Sequence, residues 1–193
     1  MAWFEDLMME NWPKFEGLIL SSEKVFPESI RSSAGDFIDS LSGGGVFKVI
    51  FEGSAYAGNA IAYAMGEQER AEFAPDLPAD SRVLYIMNLV IEPQFQRRGL
   101  GSALFQEVLR AAREKGFTHV MGHFRPNCVL DIARRMGAVE HGIFRNWEGT
   151  GEDYVLCHIP IAEPEQPKEA ERHLPDLSQE LQFLPAMPHH QSE

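Results

Sequence analysis

The segment VLYIMNLVIEPQFQRRGLGSALFQEVLRAAREKG, residues 83–116, contains the pattern that decides the fold. Its beginning, Val83–Ile91, is mostly apolar and partly β-branched, which predicts a strand buried on both faces. Pro93 ends that strand, because proline has no N–H to give to a β-ladder. From Leu100 onward, apolar residues recur at three- and four-residue steps, which predicts an amphipathic helix that ends at Gly116.

The turn between this strand and this helix has the composition of an anion-binding site. Gly99 and Gly101 let the backbone approach a ligand without a Cβ in the way. The first N–H groups of the helix have no partner within it, and Arg97 and Arg98 add attraction for phosphate. The segment therefore predicts a pyrophosphate-binding turn, although a plain glycine-rich loop with surface arginines has the same short pattern.

Two common nucleotide-binding signatures do not fit this turn. A P-loop requires G-x-x-x-x-G-K-S/T, which the chain does not contain. The dinucleotide fingerprint requires a third glycine where the chain has Leu104, and an acid that the region near Met121 does not offer. Residues 96–101, QRRGLG, do match the pattern Q/R-x-x-G-x-G/A. With the flanking strand and helix, they resemble the central motif of the GNAT superfamily of N-acetyltransferases.

The resemblance covers residues 20–160 and implies an α/β (α+β) fold. The expected sheet is mixed and mostly antiparallel, with splayed parallel strands and flanking helices. The resemblance also implies acetyl-CoA as co-substrate, held by the strand backbone, by the turn and by an asparagine before a later helix. The residues implied are Leu89, Val90, Ile91, Gln96, Arg97, Arg98, Gly99, Leu100, Gly101, Ser102 and Asn127. On physical grounds alone, Asn127 is also a helix N-cap.

The implied reaction moves an acetyl group from acetyl-CoA to an amine that attacks directly in a ternary complex. A backbone N–H in the splayed strands would stabilise the oxyanion. An alkyl ammonium has a pKa near ~10.4, so a base, or water leading to one, must take its proton. Many family members carry a tyrosine in the helix after the asparagine, but residues 128–136 contain none. The candidates for proton transfer are Tyr85, His123 and Tyr154.

Ordinary packing is the alternative role for each of these three side chains. A catalytically degenerate acyl-CoA-binding sensor or scaffold is the alternative for the whole protein, because the turn fits both functions and the missing tyrosine favours the second. The acceptor is expected to be a small-molecule or protein amine, and a homodimer is compatible with the sequence. His119 and His123 share a strand face, but no third ligand has usable spacing, so no metal is expected.

Composition limits the remaining functions. The 193 residues are 44% hydrophobic with a formal net charge of −12, and no basic patch exceeds a few residues, which argues against nucleic-acid binding. No apolar run approaches the ~18 residues of a membrane span. Two cysteines are too few for a disulfide framework, so we expect a cytoplasmic protein.

Outside the central segment, the chain divides into one domain, residues 1–161, and an acidic, proline-rich tail, residues 162–193, expected to be disordered. Residues 1–20 predict a helix over the core edge and no strand. Residues 19–41 predict helices broken at Pro27, with Ser21 or Ser22 as cap, and resemble the family's first helical pair, one wall of the acceptor site. The segment 66–82 predicts a long polar connection that leans over the acceptor or is disordered.

The remaining patterns predict strands, one short helix and one exposed loop. A hairpin is expected from residues 46–51 and 58–64, and a third strand from 118–124. An antiparallel pair is expected from residues 138–145 and 154–161. Trp147 lies in the loop between these two, where we expect an exposed side chain that packs locally more often than it covers the acceptor.

Overall fold

The computed structural model describes residues 1–161; residues 162–193, with the expected tail, lie outside the described residues. The strands are β1 (Ala2–Asp6), β2 (Val46–Glu52), β3 (Ala55–Ala64), β4 (Val83–Ile91), β5 (His119–Phe124), β6 (Val139–Phe144) and β7 (Tyr154–Pro160). The helices are α1 (Trp12–Ser22), α2 (Ala34–Ser42), α3 (Glu67–Phe73), α4 (Leu100–Glu114) and α5 (Cys128–Arg135).

The strands form one seven-stranded sheet in the spatial order β1-β2-β3-β4-β5-β7-β6. Every neighbouring pair is antiparallel except β4 and β5, which are parallel. The predicted α/β (α+β) fold with a mostly antiparallel sheet is therefore confirmed. Among residues 1–161, no helix is long and apolar enough to cross a membrane.

Alternation along β2 divides the core between the two faces of the sheet. Phe47 and Val49 pack in the cluster that contains α1 and α2, whereas Val46 and Ile50 pack in the cluster that contains α4. This follows from the two-residue period of a strand, which points successive side chains to opposite faces. The sheet is thus covered by helices on both faces.

The helix α4 matches its predicted bounds and buries the predicted apolar stripe. Leu104, Phe105 and Val108 are fully buried, because residues three and four apart lie on one face of a helix. Gly116 follows the helix with a φ of 74°, a left-handed conformation that glycine adopts without strain. The strand before α4 differs from its prediction, because buried and half-buried residues alternate along β4.

The prediction that residues 1–20 contain no strand is wrong, whereas the predicted helix is present but begins only at Trp12. Residues 2–6 form β1, the edge strand, paired with β2. Trp3 stacks on Phe51 with ring centroids 4.2 Å apart and donates from its indole nitrogen to the carbonyl of Gly53. Only α1 is helical, and Pro13 lies in its first turn, where a missing N–H costs no hydrogen bond.

Two further expectations are corrected between residues 19 and 82. Ser33 is the cap of α2: its hydroxyl accepts from the backbone N–H of Asp36, whose carboxylate accepts from the N–H of Ser33. Ser22 is instead buried inside the protein. The segment 66–82 is not a plain connection, because it contains α3.

The other predicted elements are present. The hairpin is β2 and β3, the third strand is β5, and the antiparallel pair is β6 and β7. The predicted short helix is α5, and Asn127 is its N-cap, since its side chain accepts from the N–H of Val129 at 2.9 Å. The sequence did not indicate that β7 lies between β5 and β6.

A buried lysine joins β2 to α4. The side chain of Lys48 is 5% exposed, and its ammonium lies 2.7 Å from Asp6 and 2.9 Å from Glu107. The hydrogen bonds from Arg110, and those from Lys48, lower the pKa of Glu107 from 4.5 to about 2. Glu107 therefore contributes stability that is present above pH 4.5 and is lost as the pH falls toward 2.

We expect Glu107→Gln to lower the free energy of unfolding at pH 7 by about 1–3 kcal/mol, because Lys48 keeps only the exposed carboxylate of Asp6. This corresponds to a fall in Tm of several degrees, and the difference from wild type should shrink as the pH falls toward 2. Thermal unfolding between pH 2 and pH 7 measures both. The control is Glu114→Gln, on the same helix with a side chain 60% exposed. An equal loss in both variants would contradict the assignment.

Candidate active site

The site lies where the two parallel strands separate. The ladder between β4 and β5 contains only the pairs Val83–His119, Leu84–Val120 and Tyr85–Met121. Beyond Tyr85 both strands continue without pairing to each other, so the predicted splay is confirmed. A cavity of about 550 Å³ opens there, and Ile86 to Ile91 form one wall of it.

The part of β4 that forms the cavity wall contains a β-bulge. On the β3 side, Ala62 pairs with Ile86 and Ile61 pairs with Asn88, so Met87 has no counterpart. A bulge leaves one residue out of the ladder and turns the strand. From Ile86 onward, β4 has no strand partner on its cavity side among the described residues, and its backbone is available there to a ligand.

The glycine-rich turn closes one end of the cavity. Gly99 is the N-cap residue of α4 with a φ of 81°, and Arg97 before it is also left-handed, with a φ of 59°. A Cβ on Gly101 would lie 3.5 Å from Ile132 and 3.7 Å from Ile91, so this glycine lies in the gap between β4 and α5. Within this segment, the residues that line the cavity are Gln96, Arg97, Gly99, Gly101 and Ser102.

Two residues predicted for this turn lie elsewhere. The guanidinium of Arg98 is 2.8 Å from the carboxylate of Glu52 and lies over the ring of Phe95. The side chain of Leu100 is buried in the core under α4. A helix start must bury its first apolar side chain, so only the backbone of Leu100 remains toward the turn.

The opposite wall comes from the end of β5 and from α5. Asn127 lines the cavity and caps α5, so its predicted position at the cavity wall and its role as cap coexist. The predicted strand residues Leu89, Val90 and Ile91 face it across the splay. These two walls and the turn contain all the predicted acetyl-CoA contacts except Arg98 and Leu100.

Tyr85 and His123 form a pair across β4 and β5. The hydroxyl of Tyr85 lies 2.7 Å from Nδ1 of His123. His123 lines the cavity, whereas Tyr85 lies behind it. Burial lowers the pKa of His123 to about 4 and raises the pKa of Tyr85 above its usual range. At neutral pH, His123 is therefore an uncharged imidazole, and its Nε2 is buried without a hydrogen-bond partner within the described residues.

Aromatic rings enclose His123. Trp147 stacks on it with ring centroids 3.8 Å apart, and the edges of Phe144 and Phe73 meet it at 4.6 Å and 5.3 Å. Trp147 is therefore half-buried against a candidate catalytic side chain, not exposed as predicted. Phe73 ends α3, so the segment 66–82 reaches the site through this ring.

The third candidate, Tyr154, lines the cavity next to an arginine that the sequence analysis missed. Arg125 donates from Nε to the hydroxyl of Tyr154 at 2.8 Å. The same guanidinium lies 2.7 Å from Glu152 and contacts the carbonyl oxygen of Val25. Arg125 thus connects the loop before α2, the end of β5 and the loop before β7. Tyr154 is held by this arginine and has no hydrogen bond to His123.

The structure shows no group of three or more His, Cys, Asp or Glu side chains, within residues 1–161, that is placed to hold a metal ion. His119 lies near His158, with ring centroids 5.4 Å apart, at the end of β5 away from the cavity. His119 and His123 therefore lie in different environments, His119 next to His158 and His123 at the cavity.

The chain belongs to the acetyltransferase (GNAT) family, whose model matches residues 6–131. A comparison with curated proteins finds none that matches. Among solved structures, the fold is similar to Arabidopsis thaliana NAA60 in complex with acetyl-CoA: TM-score 0.68, 19% identity, over 83% of this chain and 99% of that one.

Two other solved structures have the same fold. The ribosomal-protein-S18-alanine N-acetyltransferase from Escherichia coli aligns with a TM-score of 0.63 and 17% identity, over 86% of this chain and 98% of that one. The mosquito protein named arylalkylamine N-acetyltransferase like 5b aligns with a TM-score of 0.61 and 13% identity. The alignment covers 83% of this chain and 100% of that one. At these identities the likeness describes the fold.

We expect Trp147→Ala to raise the pKa of His123 from about 4 toward 6.5, because water would reach a ring that the indole now covers. As the pH falls from 6.5 to 4, His123 of the wild type becomes protonated in the unfolded chain but not in the folded protein, so the folded protein loses stability. The variant should lose less stability over this range. NMR titration of the imidazole gives the pKa. Trp3→Ala, at the far edge of the sheet, is the control. An unchanged pKa in Trp147→Ala would contradict burial by Trp147.

Proposed function

We propose that this protein is an N-acetyltransferase that moves an acetyl group from acetyl-CoA to an amine. The observation that carries the proposal is the cavity between the splayed ends of β4 and β5. It has a helix start with two glycines at one end and an uncharged histidine at the other. Membership of the GNAT family supports the same reaction class.

The residues present fit acetyl-CoA. The N–H groups at the start of α4, together with Arg97, would bind the pyrophosphate, because a helix start favours negative charge. The free backbone of Leu89, Val90 and Ile91 would pair with the pantetheine arm as an added strand. Asn127 would contact the same arm from the other wall. A volume of about 550 Å³ lies within the usual range for a ligand site.

Acetyl-CoA supplies an activated acetyl group and a thiolate leaving group. The amine nitrogen forms the new C–N bond, the C–S bond breaks, and one proton leaves the nitrogen. A backbone N–H of β4 near the bulge would stabilise the charge that develops on the thioester oxygen, because a donor fixed in a dry site needs no reorganisation. The chain therefore has to position this N–H and provide a path for the proton.

His123 and Tyr85 would provide that path. If Tyr85 accepts from Nδ1, Nε2 of His123 has a free lone pair, which is the form a base requires. This nitrogen is buried, so the aromatic rings around it would have to separate before water or an amine reaches it. With a pKa of about 4, His123 is a weak base, so transfer through ordered water, or attack by an amine that arrives already neutral, is favoured over direct proton removal. Tyr154, held by Arg125, is the second candidate at this end of the cavity.

The names of similar proteins support an amine as the acceptor and no narrower class. The similar structures include a ribosomal-protein-S18-alanine N-acetyltransferase, an agmatine N-acetyltransferase and a protein named arylalkylamine N-acetyltransferase like 5b. What these names share is an amine, and an amine acceptor is what we propose here. We propose no nucleic-acid or membrane partner, in agreement with the net charge of −12.

Turnover of acetyl-CoA with a panel of amines, read as free thiol, tests the proposal. We expect acetylated product with the wild type. Gly99→Asp should abolish stabilisation by acetyl-CoA in thermal melts, because it places a negative charge at the pyrophosphate. Gly99→Asn is the matched control, since it has the same shape, no charge and tolerance for the left-handed backbone. Binding without turnover would support the acyl-CoA sensor instead, and equal binding by both variants would overturn the pyrophosphate site.

We expect Tyr85→Phe and His123→Ala each to lower kcat by roughly 10²–10⁴ while leaving the affinity for acetyl-CoA unchanged, because only proton transfer is removed. Steady-state kinetics from about pH 6 to about pH 10 measure this effect. Because His123, with a pKa of about 4, is uncharged over this whole range, kcat should fall at every pH without a shift of the profile. Tyr63→Phe, whose ring lies 5.4 Å from that of Tyr85, is the packing control. Rates unchanged in both variants and in their double variant would assign the role to Tyr154 or to solvent.

A further inference from the structure

A chain of buried polar side chains runs from Glu23, the residue directly after α1, to the bulge in β4. Glu23 and Asn88 are each 3% exposed, and Asn59 is fully buried. One carboxylate oxygen of Glu23 accepts from Nδ2 of Asn88 at 2.7 Å, and Oδ1 of Asn88 accepts from Nδ2 of Asn59 at 2.8 Å. Oδ1 of Asn59 then accepts from the hydroxyls of Ser22 and Tyr56.

The carboxylate of Glu23 meets only donors. Its second oxygen accepts from the backbone N–H of Ser32 at 2.9 Å, which can act only as a donor. The oxygen that faces Ser32 must accept, and the other oxygen of the ionised carboxylate accepts from the amide nitrogen of Asn88. Burial raises the pKa of Glu23, which shows that the ionised group is costly at this position. A core that needed only volume would be better served by an apolar side chain.

The network holds two parts of the cavity together. Asn88 directly follows Met87, the residue left out of the ladder by the bulge. Glu23 also joins both ends of the segment 23–32, since it is the first residue and binds the last. Within that segment, Val25 and Phe26 line the cavity. The position of the bulge and the position of this wall therefore depend on the same carboxylate.

We propose that Glu23 and Asn88 are positioning residues for acetyl transfer. They hold the β4 bulge so that its backbone N–H points at the thioester oxygen, and they hold the Val25–Phe26 wall in register with it. This inference rests on the proposed function. Both side chains act through the positions that they fix: Glu23 does not line the cavity, and Asn88, which does line it, has its amide oxygen bonded to Asn59 and its amide nitrogen bonded to Glu23.

Matching the hydrogen-bond donors and acceptors of each variant gives a specific test. In Glu23→Gln, one acceptor becomes a donor and meets the donor of either Ser32 or Asn88. In Asn88→Asp, two carboxylates face each other. The double variant Glu23→Gln/Asn88→Asp satisfies every group. The new amide at position 23 donates to the new carboxylate at position 88 and accepts from the N–H of Ser32, while that carboxylate still accepts from Asn59. The net charge of the double variant equals that of the wild type.

We expect each single variant to lower kcat about 10- to 100-fold with little change in the KM for acetyl-CoA, because the turn and the Leu89–Ile91 backbone remain. The double variant should recover most of the loss. Infrared spectra of bound carbonyl-¹³C acetyl-CoA provide a readout that needs no acceptor. The carbonyl band should move toward its position in free acetyl-CoA in the single variants and return in the double variant.

Glu107→Gln is the matched control, because it removes a half-buried, ion-paired carboxylate on α4 that does not line the cavity; it should lower Tm without moving the carbonyl band. Glu23→Asp replaces Glu23→Gln if that variant does not fold. Single variants that lower Tm but keep kcat and the carbonyl band would overturn the inference, as would a double variant no better than the singles. Failure of the wild type to acetylate any amine would overturn the proposed function instead, and the carbonyl band would still test the positioning.

Discussion

The interruption of the ladder between β4 and β5 is the constraint on which the site depends. Two parallel strands need a crossover, and here the crossover is the turn and α4, so a helix start necessarily lies beyond the end of β4. Because the two strands stop pairing after Tyr85 and Met121, the space beyond them opens directly in front of that helix start. Topology alone thus aligns a glycine-rich helix start, an unpaired strand backbone and the end of β5.

Separated strands lose hydrogen bonds, so other contacts must hold them apart. On the helix side, the side chains of Ile91 and Ile132 both lie within 4 Å of the position that a Cβ on Gly101 would take, so β4 and α5 pack against the start of α4 at this point. On the other side, Asn88 joins β4 to β3 and to the loop after α1 through buried amides and a carboxylate. Polar groups left without partners at this depth would be costly.

Local patterns could be predicted from the sequence, and distant contacts could not. The strand, turn and helix of residues 83–116 are adjacent in the chain, so spacing alone indicates them, as it does the cap at Asn127. The strand β1 exists because β2, far along the chain, offers an edge, and its aromatic residues have no period of their own. Trp147 meets His123, and Glu23 meets Asn88, only after folding. Those pairs determine the chemistry of the site.

The burial of His123 makes its imidazole a much weaker base than an alkyl amine. Its pKa of about 4 is roughly six units below that of an alkyl ammonium, a difference of about 8–9 kcal/mol against direct proton transfer at ~1.36 kcal/mol per unit. A fully solvated histidine would reduce this pKa difference by only about two pKa units. Burial under Trp147 instead keeps the imidazole neutral. In the proposed reaction, His123 would therefore act on an amine that has already lost its ammonium proton, and the ionisation of the acceptor would govern the rate at neutral pH.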